Sequence, residues 1–299
     1  MVDGREGTVG TDTHTQLCAL DAIARAGATR AIVLVAAHPD DETIGAGATL
    51  GTLAALGARV RVLHVTDGAP REPSLRPALA DRSREAAAAV RRAELAAALR
   101  AGGLDPAAVL EASLGVPDQE AAFALVEIAH ALARHIEASP PDVVITHPYE
   151  GGHPDHDAVA FAVHAAVRLL ATAGAAAPLI AEMSSYHASP GPEGEGDALE
   201  AACFLPCPEA SCTARHEGRL EPLARARKRA MLDTFVSQAE VLASFDTAAE
   251  PLRCAPRYDF TRPPHPGTLH YERLAFGWTG ERWRALAREA LAALSPTRS

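Results

Sequence analysis

The chain has 299 residues, 48% of them hydrophobic and only 4% aromatic, with a formal charge of -10. That length and apolar content suffice for one sizeable domain with a real core. The acidic balance argues against nucleic acid or an anionic membrane as partner, because phosphates are repelled on average.

The opening residues, "MVDGREGTVGTDTHTQ", contain no apolar core of signal-peptide length. No later stretch is long and uncharged enough to span a bilayer, so a soluble protein of the cytoplasm is expected. Residues 1–28 read as an N-terminal extension and residues 29–299 as one domain, irregular over about 188–220.

Ala31 to Ala37 form a short run rich in Val and Ile, which predicts a buried strand. Thr43 to Leu56 carry small and apolar residues at helical spacing, and Gly57 is placed to end that helix. "ARVRVLHVTDG" is a second strand, closed by the turn signal Asp67-Gly68. Strand, helix and strand over this length make a right-handed βαβ unit with parallel strands. The pattern then repeats. A helix is predicted from about Leu79 to Arg100, a strand at "AVLEASL", and a helix at "QEAAFALVEIAHALARHIEA". Pro140-Pro141 precede the strand "DVVITH"; the helix "AVAFAVHAAVRLLATAG" and the strand "PLIAEMSSYH" follow. The fold class is therefore α/β: a doubly wound, mostly parallel, Rossmann-like sheet with helices on both faces. A helix over roughly Glu221 to Ala243 and a short C-terminal helix complete the chain. The alanine-rich helices need no explanation beyond helix propensity, and they leave a homo-oligomer open.

Five cysteines are present, three of them in "CFLPCPEASC" with His216 close behind. Cys203, Cys207, Cys212 and His216 have the chemistry of a tetrahedral zinc site, at a spacing far from the common frames. Ordinary reduced thiols in a loop are the alternative, and the odd count speaks against a disulfide framework.

Ligands in open α/β sheets bind outside the carboxyl ends of the strands. One such end carries "HPDDE", His38 to Glu42; another carries "HPYEGGHPDHD". Each contains His-Pro-Asp. If the two strands are neighbours, imidazoles and carboxylates converge on one crevice, a mixed donor set that suits Zn2+. The prolines fix the turns that aim those side chains. Each residue also has a plainer reading. His38 is suited to capping the next helix, and Asp40, Asp41, Glu42 and Asp157 to interacting with helix dipoles. His147 reads as a buried, hydrogen-bonded imidazole and His64 as core. For Glu42 and Asp157 the dipole reading is preferred.

"AAHPDDE" followed by "GGHPDHD" resembles the PIG-L/LmbE family of zinc-dependent N-acetylglucosaminyl deacetylases. "VTDG", "RRAEL" and the "SQ" of "DTFVSQAEVL" stand in the expected order, so the resemblance spans about Ala31 to Phe245. It implies His38, Asp41 and His156 as zinc ligands, Asp40 as general base, and protonated His153 as the group that stabilises the oxyanion or protonates the leaving amine. Asp155 would orient and charge-tune His153. Arg91 is similar to a position that reaches sugar hydroxyls or phosphate, and Tyr149 would bring a phenol over the metal. Tyr186 and His187 are rim candidates, and the loop "APREPSLRPALADR" a candidate lid. The implied reaction is hydrolysis of an N-acetyl group on a small amino-sugar substrate. A metal-dependent amidase of a thiol, glycopeptide or glycolipid conjugate is the alternative, and a non-catalytic sugar-binding protein a more distant one. Fe2+ can replace Zn2+ in such a donor set.

Overall fold

Every residue of β1 (Ala31–Ala36) is buried, because β1 lies inside the sheet with helices on either side. Its side chains alternate between two cores, as the period of a strand dictates. Val33 and Val35 join one apolar cluster, Ile32 and Leu34 the other. Burying each such side chain fully stabilises the fold by about 1.5–3 kcal/mol. The computed structural model describes residues 30–188, 199–201, 203–205, 215–245, 247–274 and 277–295.

Helix α1 (Asp41–Ala55) leads from β1 to β2 (Arg59–His64), which pairs parallel with β1. Beyond it come α2 (Arg84–Ala101), α3 (Leu125–Ala138), β3 (Val143–Thr146), α4 (Pro154–Thr172) and β4 (Leu179–Met183). The six-stranded sheet has the order β2-β1-β3-β4-β8-β7, with β7 at Arg215–His216 and β8 at Leu252–Cys254. The first four strands are parallel and the last two pairings antiparallel. Helix α5 (Pro222–Leu232) packs with α1 and α2 on one face. Helix α6 (Gly280–Ala293) packs against α3 on the other. The doubly wound, mostly parallel architecture is thus present. Chain order reverses between β1 and β3, the switch point where such sheets hold ligands. Among the described residues no helix is long and apolar enough to cross a membrane.

Several boundaries differ from expectation. Helix α2 starts at Arg84 rather than Leu79, because Pro73 and Pro77 open two short 3-10 turns and Ser83 accepts the Ala86 amide as a cap. "AVLEASL" supplies no regular strand. Its Glu111 and Leu114 amides donate to the carbonyls of Val62 and His64, three residues against two, a bulge that interrupts the ladder. "PLIAEMSSYH" is split: β5 (Tyr186–Ala188) leaves the main sheet to pair with β6 (Leu199–Ala201). The helix expected to Ala243 stops at Leu232 and gives way to two shorter turns. Helix α4 begins at Pro154, before the expected start at Ala158, and this earlier start organises the site.

A buried ion pair ties the late chain to α1. Lys228 Nζ lies 3.3 Å from Glu250 Oε1 and donates to the Ile44 carbonyl at 2.6 Å. Glu250 in turn accepts the amides of Ala48 and Thr49 at 3.0 and 2.7 Å. Glu250→Gln leaves a buried ammonium without its counter-charge, so a loss of about 3 kcal/mol is expected in urea denaturation. An unchanged midpoint would show the pair to be dispensable.

Candidate metal centre

Strands β1 and β3 are hydrogen-bonded neighbours, with Ile32 opposite Val143 and Leu34 opposite Ile145. The two His-Pro-Asp corners therefore meet. The His38 and His153 rings stand 4.6 Å apart, edge to face, and His38 and His156 are 5.3 Å apart. His153 occupies the N-cap of α4; its Nδ1 accepts the Asp155 amide at 3.2 Å. That cap turns Asp155, His156 and Asp157 inward on the first helical turn. Gly152 is required beside it, since a Cβ there would sit 1.9 Å from the Tyr186 carbonyl oxygen.

Asp41 is the hub. Its Oδ2 accepts the His38 amide at 2.7 Å and lies 3.1 Å from His38 Nδ1. Its Oδ1 lies 3.1 Å from His156 Nε2, which has no hydrogen bond in spite of that proximity. Two buried groups aimed at one space without bonding each other fit a third body between them. Asp41 thus stands against both His38 and His156, and the imidazole–carboxylate chemistry of the three fits a divalent cation. Potential ligand atoms gather in three overlapping groups, each within 4.8 Å: His38, His153 and His156; Asp41, His147 and His156; His38, Asp118 and Asp155.

Charge follows from this crowding. Burial presses Asp41 towards its neutral form, but His156, His147 and His38 outweigh it and hold the carboxyl well below its usual range. Burial also acts against a charged His38, yet the carboxylates of Asp118 and Asp41 raise its pKa well above the ordinary value. His153 is pushed down to about 3 by burial and by His38, and His156 to about 4, chiefly by burial. Both stay neutral at pH 7. Asp40 is raised to about 6 by burial, with Arg91 opposing.

The surroundings of the remaining candidates change several expectations. Arg91 meets the first motif itself. It is buried, and its Nη2 donates to the Pro39 carbonyl at 2.8 Å and to Asp40 Oδ2 at 3.0 Å. Tyr149 lies in an aromatic cluster with Tyr258, Phe260 and Trp283, and its hydroxyl donates to the Arg262 carbonyl at 2.8 Å. It lines a separate cavity of about 210 Å3, so it is no phenol over the metal. Glu42 stands in the first turn of α1, as expected of a helix N-terminal acid, and is in addition wholly buried, pairs with His64 at 2.9 Å, and accepts the Asp40 amide at 3.1 Å. Asp157, also wholly buried, accepts the amides of Glu150 and Gly151 and so shapes the turn before the second motif.

Asp155 acts on His38 as well as on the expected His153, whose Nδ1 its amide meets. Its carboxylate accepts the amides of Gln119 and Ala121, at 2.6 and 3.1 Å, and lies 3.2 Å from His38 Nε2. Its charge favours a protonated His153, but burial outweighs it. Sequence reasoning missed Asp118, whose Oδ1 is 3.1 Å from His38 Nε2. His147 accepts the Ala37 amide at 3.0 Å, as a buried imidazole would, but it also stacks on His156 at 4.0 Å. Tyr186 meets His156 edge-on at 5.1 Å. The "RRAEL" and "SQ" features prove to be partners: Glu94 accepts the Ser237 amide and hydroxyl at 2.7 and 2.6 Å. In the candidate lid, Arg76 donates to the carbonyls of Pro70, Leu79 and Arg82, and Arg71 pairs with Glu120 at 2.7 Å. Of the cysteine cluster, Cys203 is 3.6 Å from His187 Nε2, whereas Cys207 and Cys212 fall outside the described residues.

Residues 33–167 match the family described as PIG-L, GlcNAc-PI de-N-acetylase. A 1D-myo-inositol 2-acetamido-2-deoxy-alpha-D-glucopyranoside deacetylase 1 of Catenulispora acidiphila is 36% identical over 147 residues, 43% of this chain and 45% of that protein. A deacetylase of the same name from Streptomyces griseus is 36% identical over 145 residues, 42% of this chain and 45% of its own. The match thus spans a little under half the length of these relatives. A deacetylase–bog complex from teicoplanin biosynthesis has the same fold, with TM-score 0.57 and 19% identity over 77% of this chain and 99% of that one. A zinc-inhibited form of teicoplanin deacetylase gives TM-score 0.53 and 18% identity over the same shares.

Proposed function

We propose, from the match of residues 33–167 to the PIG-L family and the donor set described above, that the chain is a metal-dependent N-deacetylase. It would hydrolyse the N-acetyl group of an N-acetylglucosamine-type amino sugar or its conjugate, giving acetate and a free amine. The observation that carries this reading is a buried His/Asp donor set with a second carboxylate, Asp40, held beside it by Arg91 rather than turned into the set. The names of the relatives, deacetylases of an acetamido-deoxy-glucopyranoside, support an amino-sugar amide.

His38, Asp41 and His156 would hold the cation, assigned here as Zn2+ with Fe2+ as the other candidate. A divalent cation in such a site polarises an amide carbonyl and acidifies water at neutral pH. Asp40 takes the proton of the attacking water and, with its pKa near about 6, can return it to the departing amine. His153 Nδ1 is occupied by the Asp155 amide, which puts the imidazole proton on Nε2. His153 therefore serves the developing oxyanion as a neutral N–H donor, and the imidazolium expected from the resemblance is not needed. Asp155 fixes His38 through its Nε2. Asp118, with a side chain 17% exposed beside His38, is the acceptor available to a sugar hydroxyl.

The test is acetate release from a panel of N-acetylglucosaminides by zinc-loaded protein, repeated after chelation. Release that chelation abolishes and zinc restores is expected. No release from any member by protein shown to contain zinc would overturn the N-acetyl reading.

A further inference from the structure

We infer that Ser185 is a positioning residue of the metal centre: its hydroxyl fixes the tautomer and plane of His156, so that Nε2 is the nitrogen offered to the cation. This rests on the metal-site reading above.

The placement comes from the end of β4. After Met183 the Ser184 amide still donates to the Pro251 carbonyl at 3.1 Å, but Tyr186 already belongs to the other sheet. Ser185 sits in that break, 6% exposed, and its Oγ lies 3.1 Å from His156 Nδ1. The other ring nitrogen, Nε2, faces Asp41 Oδ1. A neutral imidazole has one N–H and one lone pair. When Nε2 spends its lone pair on a cation, the proton must reside on Nδ1 and needs an acceptor, and the serine oxygen is in place to be one.

The rings stacked around His156 cannot make this choice. His147 stacks on one face at an interplanar angle of 7°, and Tyr186 meets the ring at 64°. Such contacts hold the plane, but they tolerate a ring flipped about its Cβ–Cγ bond. A hydrogen bond to Nδ1 does not. His38 is tethered by the same logic in mirror image, with Asp155 on Nε2 and Nδ1 turned to Asp41. Both imidazoles are thus held through the nitrogen remote from Asp41. A hydroxyl on His156 in place of a carboxylate leaves the centre with less negative charge.

The experiment is zinc affinity, measured by competition with a chromogenic chelator, for wild type, Ser185→Ala and Ser185→Thr. Ser185→Ala should bind zinc 10–100-fold more weakly (roughly the cost of losing such a partner), and Ser185→Thr should recover most of that loss. Proton NMR of the zinc-loaded wild type should show a slowly exchanging imidazole N–H that Ser185→Ala lacks. The metal-free melting temperature should match wild type in both variants. Wild-type zinc affinity in Ser185→Ala would overturn this inference alone, as would an affinity loss that merely follows lost metal-free stability. A wild type that binds no zinc would overturn the metal reading and this inference together.

Discussion

Asp40→Asn should lower kcat for amide hydrolysis by about a thousandfold while zinc content stays at the wild-type level, read by turnover and metal analysis on one preparation. Asparagine keeps the shape of the side chain and removes its basicity. It also suits the backbone. Asp40 has φ 151° and ψ -25°, a conformation most side chains avoid, and asparagine, the isostere, brings no added bulk to it. Neighbours enforce that geometry from both sides. Arg91 grips the Pro39 carbonyl and the Asp40 carboxylate, and Glu42 accepts the Asp40 amide. Backbone strain of this kind costs about 1–3 kcal/mol and persists where the surroundings over-determine it. Its effect here is to turn Asp40 away from the donor groups that Asp41 joins. Undiminished turnover in Asp40→Asn would remove the base assignment, and zinc loss in step with activity would make Asp40 a ligand instead.

Much of this arrangement is legible in the sequence, for identifiable reasons. Runs of Val and Ile ending abruptly in His-Pro-Asp reveal both strand and corner, since helix dipoles account for the acids but not for a histidine repeated at both strand ends. The meeting of the corners depends on β1 and β3 being adjacent, which local patterning leaves open and the strand order settles. What escapes is chemistry supplied across the fold. Ser185 touches His156 only because β4 leaves the sheet one residue earlier, and nothing in "SSYH" marks that exit. Asp118 depends on a loop in which Gln119 takes φ 71°, a left-handed geometry that a glutamine does not advertise. Tyr149 shows the opposite error. A tyrosine near the second motif invites a catalytic reading, but the aromatic cluster around Trp283 claims it. Arg91 is singled out by the resemblance, which does not reveal that its guanidinium meets the Pro39 carbonyl and Asp40.

Asp41→Ala should abolish zinc binding and leave no turnover above background, measured by equilibrium dialysis and by acetate release in excess zinc. The carboxylate has two roles that no neighbour can cover. Through Oδ1 it faces His156, and through Oδ2 it accepts the His38 amide while standing 3.4 Å from His147 Nε2. Removing it withdraws one of the three proposed ligands and also leaves three imidazoles facing one another without their shared counter-charge. The side chain therefore matters to the metal-free protein as well, and its melting temperature should fall. Asp41→Asn separates the two roles. Its oxygen can still accept the His38 amide, so more of the metal-free stability should survive, but a neutral amide is a poor ligand for a cation that prefers carboxylate or imidazole. Zinc affinity close to wild type in Asp41→Asn would mean that the cation is held by the histidines, with His153 or His147 in place of Asp41. Loss of zinc with the metal-free fold intact would identify Asp41 as the ligand on which the two motif corners converge.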